Sequence, residues 1–250
     1  MHPFDLPPAS YRPAPPPPEI AQRYGIGIVG CGGIARGAHL PAYRDFGYRV
    51  VATCDVLEEN ARTAAEKFAI PFWTSRLEDV LARPDVDVVD LAVHAAVRIP
   101  LVEQIAAAGK PILTQKPFAL TFADAQRMVE ICRQAGVPLM VNQQARWAPA
   151  HRALKVVIER GVLGHVYSVT HILRAFQDVP DSWYVKLPHF NLLDHGIHYI
   201  DLTRYFTGLT PLRVKATTTT VPGQAAVSPM IYSILCEYAS EAQVMSTLHF

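Results

Sequence analysis

The stretch from Tyr24 to Asp55 constrains this chain more than any other. An apolar run, Gly25-Ile26-Gly27-Ile28-Val29, breaks into Gly30-Cys31-Gly32-Gly33-Ile34-Ala35, and a second apolar segment leads to Asp55, 25 positions after Gly30. Strand, glycine turn, helix, strand and acid, in that order, are how a βαβ unit holds a dinucleotide. Gly30 allows the tight turn, and Gly32 lets backbone N–H groups reach a pyrophosphate. Gly33 and Ile34 open a helix whose partial positive charge faces that anion, and Ala35 lets the helix pack close to the strand. A carboxylate at Asp55 accepts hydrogen bonds from ribose hydroxyls and repels a 2′-phosphate, which favours NAD over NADP. Taken alone, Asp55 reads equally as a turn or helix cap.

Half of the 250 residues are hydrophobic, enough for one large domain or two smaller ones with separate cores. With 23 basic and 22 acidic residues the chain offers no electrostatic footprint for nucleic acid or an anionic membrane, so a small-molecule partner is expected. Cys31, Cys54, Cys132 and Cys236 form no C-x-x-C pair and mostly lie in or beside apolar runs, so neither zinc, nor any other metal, nor a disulfide framework is anticipated. No apolar run is long enough to span a membrane and no signal peptide is evident, which points to the cytoplasm.

Residues 1–22 form a proline-rich arm, with Pro15-Pro16-Pro17-Pro18 suited to polyproline II but not to a packed element; it reads as a tail, or as a strap over a neighbouring subunit. Residues 23–145 alternate strand and helix, with strands expected near 25–29, 49–54, 86–93, 111–114 and 137–141, the pattern of a doubly wound parallel sheet covered on both faces. After a helix near 148–160 the style changes. In 146–250 longer β segments, at 165–175, 212–219, 230–238 and 243–250, flank a helix near 192–206, giving an α+β domain with an antiparallel or mixed sheet. Val244 to Phe250 reads as a strand with no turn after it, so either this sheet is small or the sequence is a fragment of a longer chain.

Lys116 follows the apolar strand Ile112-Leu113-Thr114 and precedes Pro117, at the carboxyl end of a parallel strand, where ligands of open α/β sheets bind. An ammonium there can polarise a substrate oxygen; the alternative is a solvated loop lysine. Asp194 and His198 lie four apart, on one helical face, with Asp201 and Tyr205 continuing the stripe and Leu193, Ile197 and Ile200 opposite. Histidine suits proton transfer with a hydroxyl, and the aspartate can orient it. Equally, Asn191 could be an N-cap with Asp194 as its reciprocal partner. Arg146 and Asn142 are candidates beside cofactor or substrate, or for a structural ion pair. Arg174, Trp183 and His189 are candidates for the substrate wall, with core packing the simpler role for Trp183.

Together these residues resemble the Gfo/Idh/MocA oxidoreductases, NAD(P)-dependent dehydrogenases of sugars, inositols and related compounds. The likeness spans about Tyr24 to Phe250 and rests on Gly30-Cys31-Gly32-Gly33-Ile34-Ala35, Ala108-Gly109-Lys110 leading to Gln115-Lys116-Pro117, Gly161-Val162-Leu163-Gly164, and Asp194-x-Gly196-x-His198-x-x-Asp201. The resemblance implies a Rossmann domain followed by an open, largely antiparallel sheet domain. Lys116, Asp194 and His198 match the family's catalytic lysine, aspartate and histidine, and Lys116 also reaches the cofactor. It further implies hydride transfer between NAD and a secondary alcohol of a sugar, cyclitol or polyol, in a homo-oligomer (dimer or tetramer). The alternative is a non-catalytic dinucleotide sensor of the same fold. This chain departs from the family at Gln115, where glutamate is usual; at Val93-His94-Ala95, for Thr-Pro-Asn; at Arg98, for histidine; and at Pro188-His189-Phe190, for glycines.

Overall fold

The computed structural model describes residues 16–175, 177–238 and 245–249, the last of these through their backbone, so the part of the proline arm before residue 16 lies outside the described residues. The chain divides after Asn142 into two compact units.

The first unit opens with a single helical turn, α1 (Pro18–Ala21), started by proline at a position whose missing N–H costs nothing. The end of the arm packs on this unit, since Ala21 is buried and Arg49 Nε donates to Gln22 O at 3.1 Å. There follow β1 (Gly25–Val29), α2 (Leu40–Asp45), β2 (Arg49–Cys54), α3 (Glu58–Phe68), β3 (Trp73–Thr74), α4 (Leu77–Leu81), β4 (Val88–Leu91), α5 (Arg98–Ala107), β5 (Ile112–Gln115), α6 (Phe122–Ala135) and β6 (Leu139–Asn142). The six strands are parallel in the order β3-β2-β1-β4-β5-β6, so the order reverses between β1 and β4. Strand β3 was not foreseen; two residues paired to the end of β2 are too short to show a period.

Successive strand side chains face opposite ways, so Ile26 and Ile28 enter one core with Leu40, Ala61 and Ala64, while Val29 enters another with Val102, Ile105 and Met128. Ahead of α2 the helix widens into a π turn over Ala35–His39. Pro41 has no N–H and its ring would crowd the carbonyl four residues back, and a widened turn is one way a helix absorbs that conflict.

The second unit contains α7 (Pro149–Glu159), β7 (Ser168–Ile172), α8 (Ile197–Thr207), β8 (Pro211–Thr219), β9 (Ile231–Tyr238) and β10 (Met245–His249). Its sheet runs β7-β10-β9-β8, with β10 parallel to β7 and both other pairings antiparallel. One face of β9, Tyr232, Ile234, Cys236 and Tyr238, is buried against Leu192, Tyr199, Ile200 and Leu209. The buried positions of α8 are Leu202, Thr203 and Phe206; of the expected packing residues Ile200 joins the core, while Leu193 and Ile197 are only half-buried. A π turn over Leu192–Gly196 takes an extra residue, which offsets Leu193 from the face of α8.

Candidate functional site

In the first unit the glycine turn, Asp55 and Lys116 stand at the carboxyl ends of β1, β2 and β5, hence along one edge of a parallel sheet. Gly30 has φ +93, and a Cβ there would lie 2.8 Å from both Ala92 O and Val93 Cγ1, so only glycine fits where β1 meets the end of β4. The backbone at Gly32 and Gly33 is different: a Cβ at either would meet nothing within 4 Å, which leaves their side of the turn open to a phosphate. Ile34 is exposed at the helix opening and Ala35 is fully buried beneath it.

Asp55 braces the turn it was expected to serve. Its Oδ2 accepts the Cys31 N–H at 2.7 Å, and Oδ1 accepts the Leu57 N–H at 2.9 Å. A carboxylate has about four acceptor positions, so Oδ2 keeps one for a ribose hydroxyl. With Cys31 occupied, the amides of Gly32, Gly33 and Ile34 are those at the helix mouth, where first-turn N–H groups have no partner within the helix. An open backbone cradle, a helix end and an acid that still has a lone pair fit a dinucleotide.

Lys116 is half-buried, and its bond to Pro117 is cis. Its surroundings contain a residue that the sequence reading treated only as a departure. Arg98 is 1% exposed and donates to four carbonyls: Val93 at 2.6 Å, Gln115 at 2.7 Å, Pro117 at 2.5 Å and Phe118 at 2.8 Å. It clamps both flanks of Lys116 and ties them to the end of β4. Burial pulls its guanidinium down to about 10, still well above neutral pH. His94 caps the turn after β4, its Nδ1 accepting the Ala96 N–H at 3.2 Å, so a neutral ring carries its proton on Nε2. Burial, aided by the charge of Arg98, lowers its pKa and keeps the ring neutral.

Behind this edge lies a buried polar cluster of His39, Tyr43, Asp90, Gln115 and Asn142, of which the sequence had marked Asn142 as a candidate and Gln115 as a departure from the family. The available signal was Asp90, an acid inside the apolar run Val88-Val89-Asp90-Leu91.

In the second unit Asp194 lies within the π turn and His198 in the first turn of α8, both half-buried. Asn191 does not cap this helix; it is itself helical, and its Nδ2 donates to Met230 O at 2.5 Å. His195 is half-buried, its Nδ1 3.6 Å from Asp194 Oδ2 and its ring 6.1 Å from that of Phe190. Arg146 gives its fork to Asp201 at 2.7 and 2.6 Å, with its guanidinium 5.5 Å from the ring of Tyr205, and the carboxylate raises its pKa. Arg174 lines a cavity of about 1180 Å³ with Asp178, Asn191 and Gln224. Trp183 is 63% exposed, which removes the core-packing alternative. His189 is exposed with φ +53, the left-handed conformation that glycine adopts most easily, and its Nδ1 lies 3.4 Å from Tyr232 Oη.

Residues 24–143 match the family model described as "Oxidoreductase family, NAD-binding Rossmann fold", and residues 151–250 match the GFO/IDH/MocA C-terminal domain. The chain is 37% identical over 190 residues to a D-apiose dehydrogenase of Paraburkholderia graminis, covering 75% of this chain and 50% of that protein. It is 31% identical to an inositol 2-dehydrogenase of Gluconacetobacter diazotrophicus, covering 72% and 53% respectively. A crystal structure of an oxidoreductase from Agrobacterium radiobacter, in complex with NAD+, L-tartaric acid and magnesium, superposes with a TM-score of 0.82 at 28% identity, over 91% of this chain and 66% of that one. The chain thus spans about half the length of the curated relatives it matches.

Proposed function

Because the chain belongs to the Gfo/Idh/MocA oxidoreductase family, we propose that it moves a hydride between NAD(H) and a secondary alcohol of a sugar, cyclitol or related polyol. The observation that carries this reading is the anchoring of Lys116 on the same sheet edge as the glycine turn and Asp55, by four carbonyl bonds from a buried arginine that nucleotide binding alone does not require. The names of the relatives, which include dehydrogenases of D-apiose and inositol, support the substrate class.

Bound NAD supplies the hydride acceptor. The amides of Gly32, Gly33 and Ile34 hold the pyrophosphate at the helix mouth, and Asp55 holds the ribose. His198 takes the hydroxyl proton, Lys116 stabilises the negative charge that develops on the oxygen, and Asp194 orients the histidine or an adjacent hydroxyl. Arg174, Trp183 and His189 face the substrate; Arg146 is assigned to holding Asp201. The balanced charge and four buried cysteines suit a cytoplasmic protein acting on small molecules as a homo-oligomer, without nucleic acid or membrane partners. Among the described residues no helix is long and apolar enough to cross a membrane.

The test is NADH absorbance with NAD and a panel of polyols, aldoses and cyclitols. Lys116→Ala should lower kcat by about 100-fold or more, far more than it weakens NAD binding. Saturable NAD binding with no NADH across the panel refutes the enzyme reading in favour of a sensor.

A further inference from the structure

His39 is buried in the first unit, on the π turn, and meets polar groups on each element packed around it. Its Nδ1 lies 2.6 Å from Asp90 Oδ2 on β4, an oxygen that also accepts the Tyr43 hydroxyl at 2.8 Å. Its Nε2 faces two side-chain amides, Gln115 Nε2 on β5 at 2.7 Å and Asn142 Nδ2 on β6 at 3.3 Å. The other end of Gln115, Oε1, accepts the backbone N–H of Lys116 at 2.8 Å.

These contacts leave one consistent placement of protons. A backbone N–H can only donate, so Gln115 must present its oxygen to Lys116 and its NH2 to His39. An NH2 group can only donate, so His39 Nε2 must be the bare acceptor. The ring proton is then on Nδ1, facing the Asp90 carboxylate, and the imidazole is neutral. Asp90, at one end of the chain, thereby fixes which way Gln115 points at the other.

We propose that Gln115 is a positioning residue for Lys116, held in its working orientation by a neutral, Nδ1-protonated His39 that Asp90 locks in place. The link to catalysis rests on the role given to Lys116 above; the proton placement does not. Glutamate at 115 could still accept the Lys116 N–H, but its second oxygen would face His39 Nε2 and require a proton there, turning the ring into an imidazolium between two carboxylates.

Three measurements test this. Imidazole 15N NMR of the wild-type protein should show His39 with a bare Nε2 and a protonated Nδ1 at neutral pH, and Gln115→Glu should show both nitrogens protonated. In Gln115→Met, close in shape and without an acceptor, hydrogen exchange at the Lys116 amide should accelerate by roughly tenfold or more. In the same variant kcat should fall by roughly tenfold or more, with the NAD Kd within about twofold. A proton on Nε2 in the wild type, or unchanged Lys116 exchange in Gln115→Met, overturns the proposal. Should Gln115→Glu not fold, the wild-type spectrum and the methionine variant still decide. If the wild type makes no NADH from any polyol, the catalytic reading of Lys116 falls, while the His39 spectrum and the exchange rate still judge the relay.

Discussion

Arg98 offers the sharpest test of what holds the site's edge together. A guanidinium that is 1% exposed and surrounded by carbonyls, with Nε lacking a hydrogen-bond partner among the described residues, stands between two large opposing effects. Four hydrogen bonds to a charged donor are worth roughly 1.5–3 kcal/mol each, on the order of 8 kcal/mol together. Those values already contain the desolvation that pulls the group from 12.5 down to about 10; what stands against them is the buried Nε without a partner among the described residues, a cost of about 3 kcal/mol. The surplus is about 5 kcal/mol. A methionine would recover about 1–2 kcal/mol by burying its own methylenes, so Arg98→Met should destabilise the protein by about 3–4 kcal/mol. Arg98→Lys keeps the charge but replaces a planar fork with a point donor that reaches about half the carbonyls, for a loss of about 2 kcal/mol. Urea unfolding followed by far-UV circular dichroism measures both. If Arg98→Met stays within about 1 kcal/mol of wild type, or if lysine is as damaging as methionine, the carbonyl clamp is not what stabilises this edge.

Asp55→Asn keeps an oxygen for the Cys31 N–H but removes the charge, so the Kd for NADP should tighten by about tenfold; unchanged selectivity in parallel fluorescence titrations would dismiss the repulsion argument. Burial pushes the His171 ring down to about 4 from the ordinary 6.5. Above pH 6.5 neither the folded nor the unfolded state holds that proton. As pH falls below 6.5 the unfolded chain takes it up first, so stability drops between 6.5 and about 4 and then levels, by about 2 kcal/mol once partial solvent screening is allowed for. His171→Gln should lack this component in unfolding measured at pH 7.5 and 4.5, and an equal loss in both proteins would refute the assignment. At His189 the left-handed backbone accommodates glycine freely, histidine at modest cost and valine poorly, so His189→Val should melt below His189→Gly by about 1–2 kcal/mol.

What the sequence disclosed and what it concealed divide along a physical line. Gly30, Asp55 and the strand before Lys116 were legible because turn geometry, an interval and an apolar run are properties of contiguous residues. Asp194 and His198 could be placed on one segment by spacing, but not the π turn that carries Asp194, since nothing local distinguishes a ladder widened by one residue. Arg98 appeared only as an unusual residue because its partners lie up to 20 positions away. His39 and Asp90 are 51 apart, and neither has meaning without the other. Arg146, which the sequence left open between cofactor or substrate and a structural ion pair, is matched to Asp201, a partner 55 positions away that only the fold brings to it.

The two devices at Lys116 both act on its backbone. Gln115 holds the amide from one side, and Arg98 holds the carbonyls of Gln115, Pro117 and Phe118 around it. The side chain adds a flexible four-carbon stem, whose ordering costs up to about 2 kcal/mol of rotamer entropy when a substrate engages the ammonium. Fixing the Cα therefore limits the volume the ammonium must search, without restricting the adjustment it needs at the oxygen. Because a displacement of about 1 Å at a reacting group can cost on the order of 100-fold in rate, residues that never touch substrate should, on the proposed function, also control turnover. Their loss should appear in kcat while the affinity for dinucleotide, which the proposed function assigns to the glycine turn and Asp55, is left nearly unchanged.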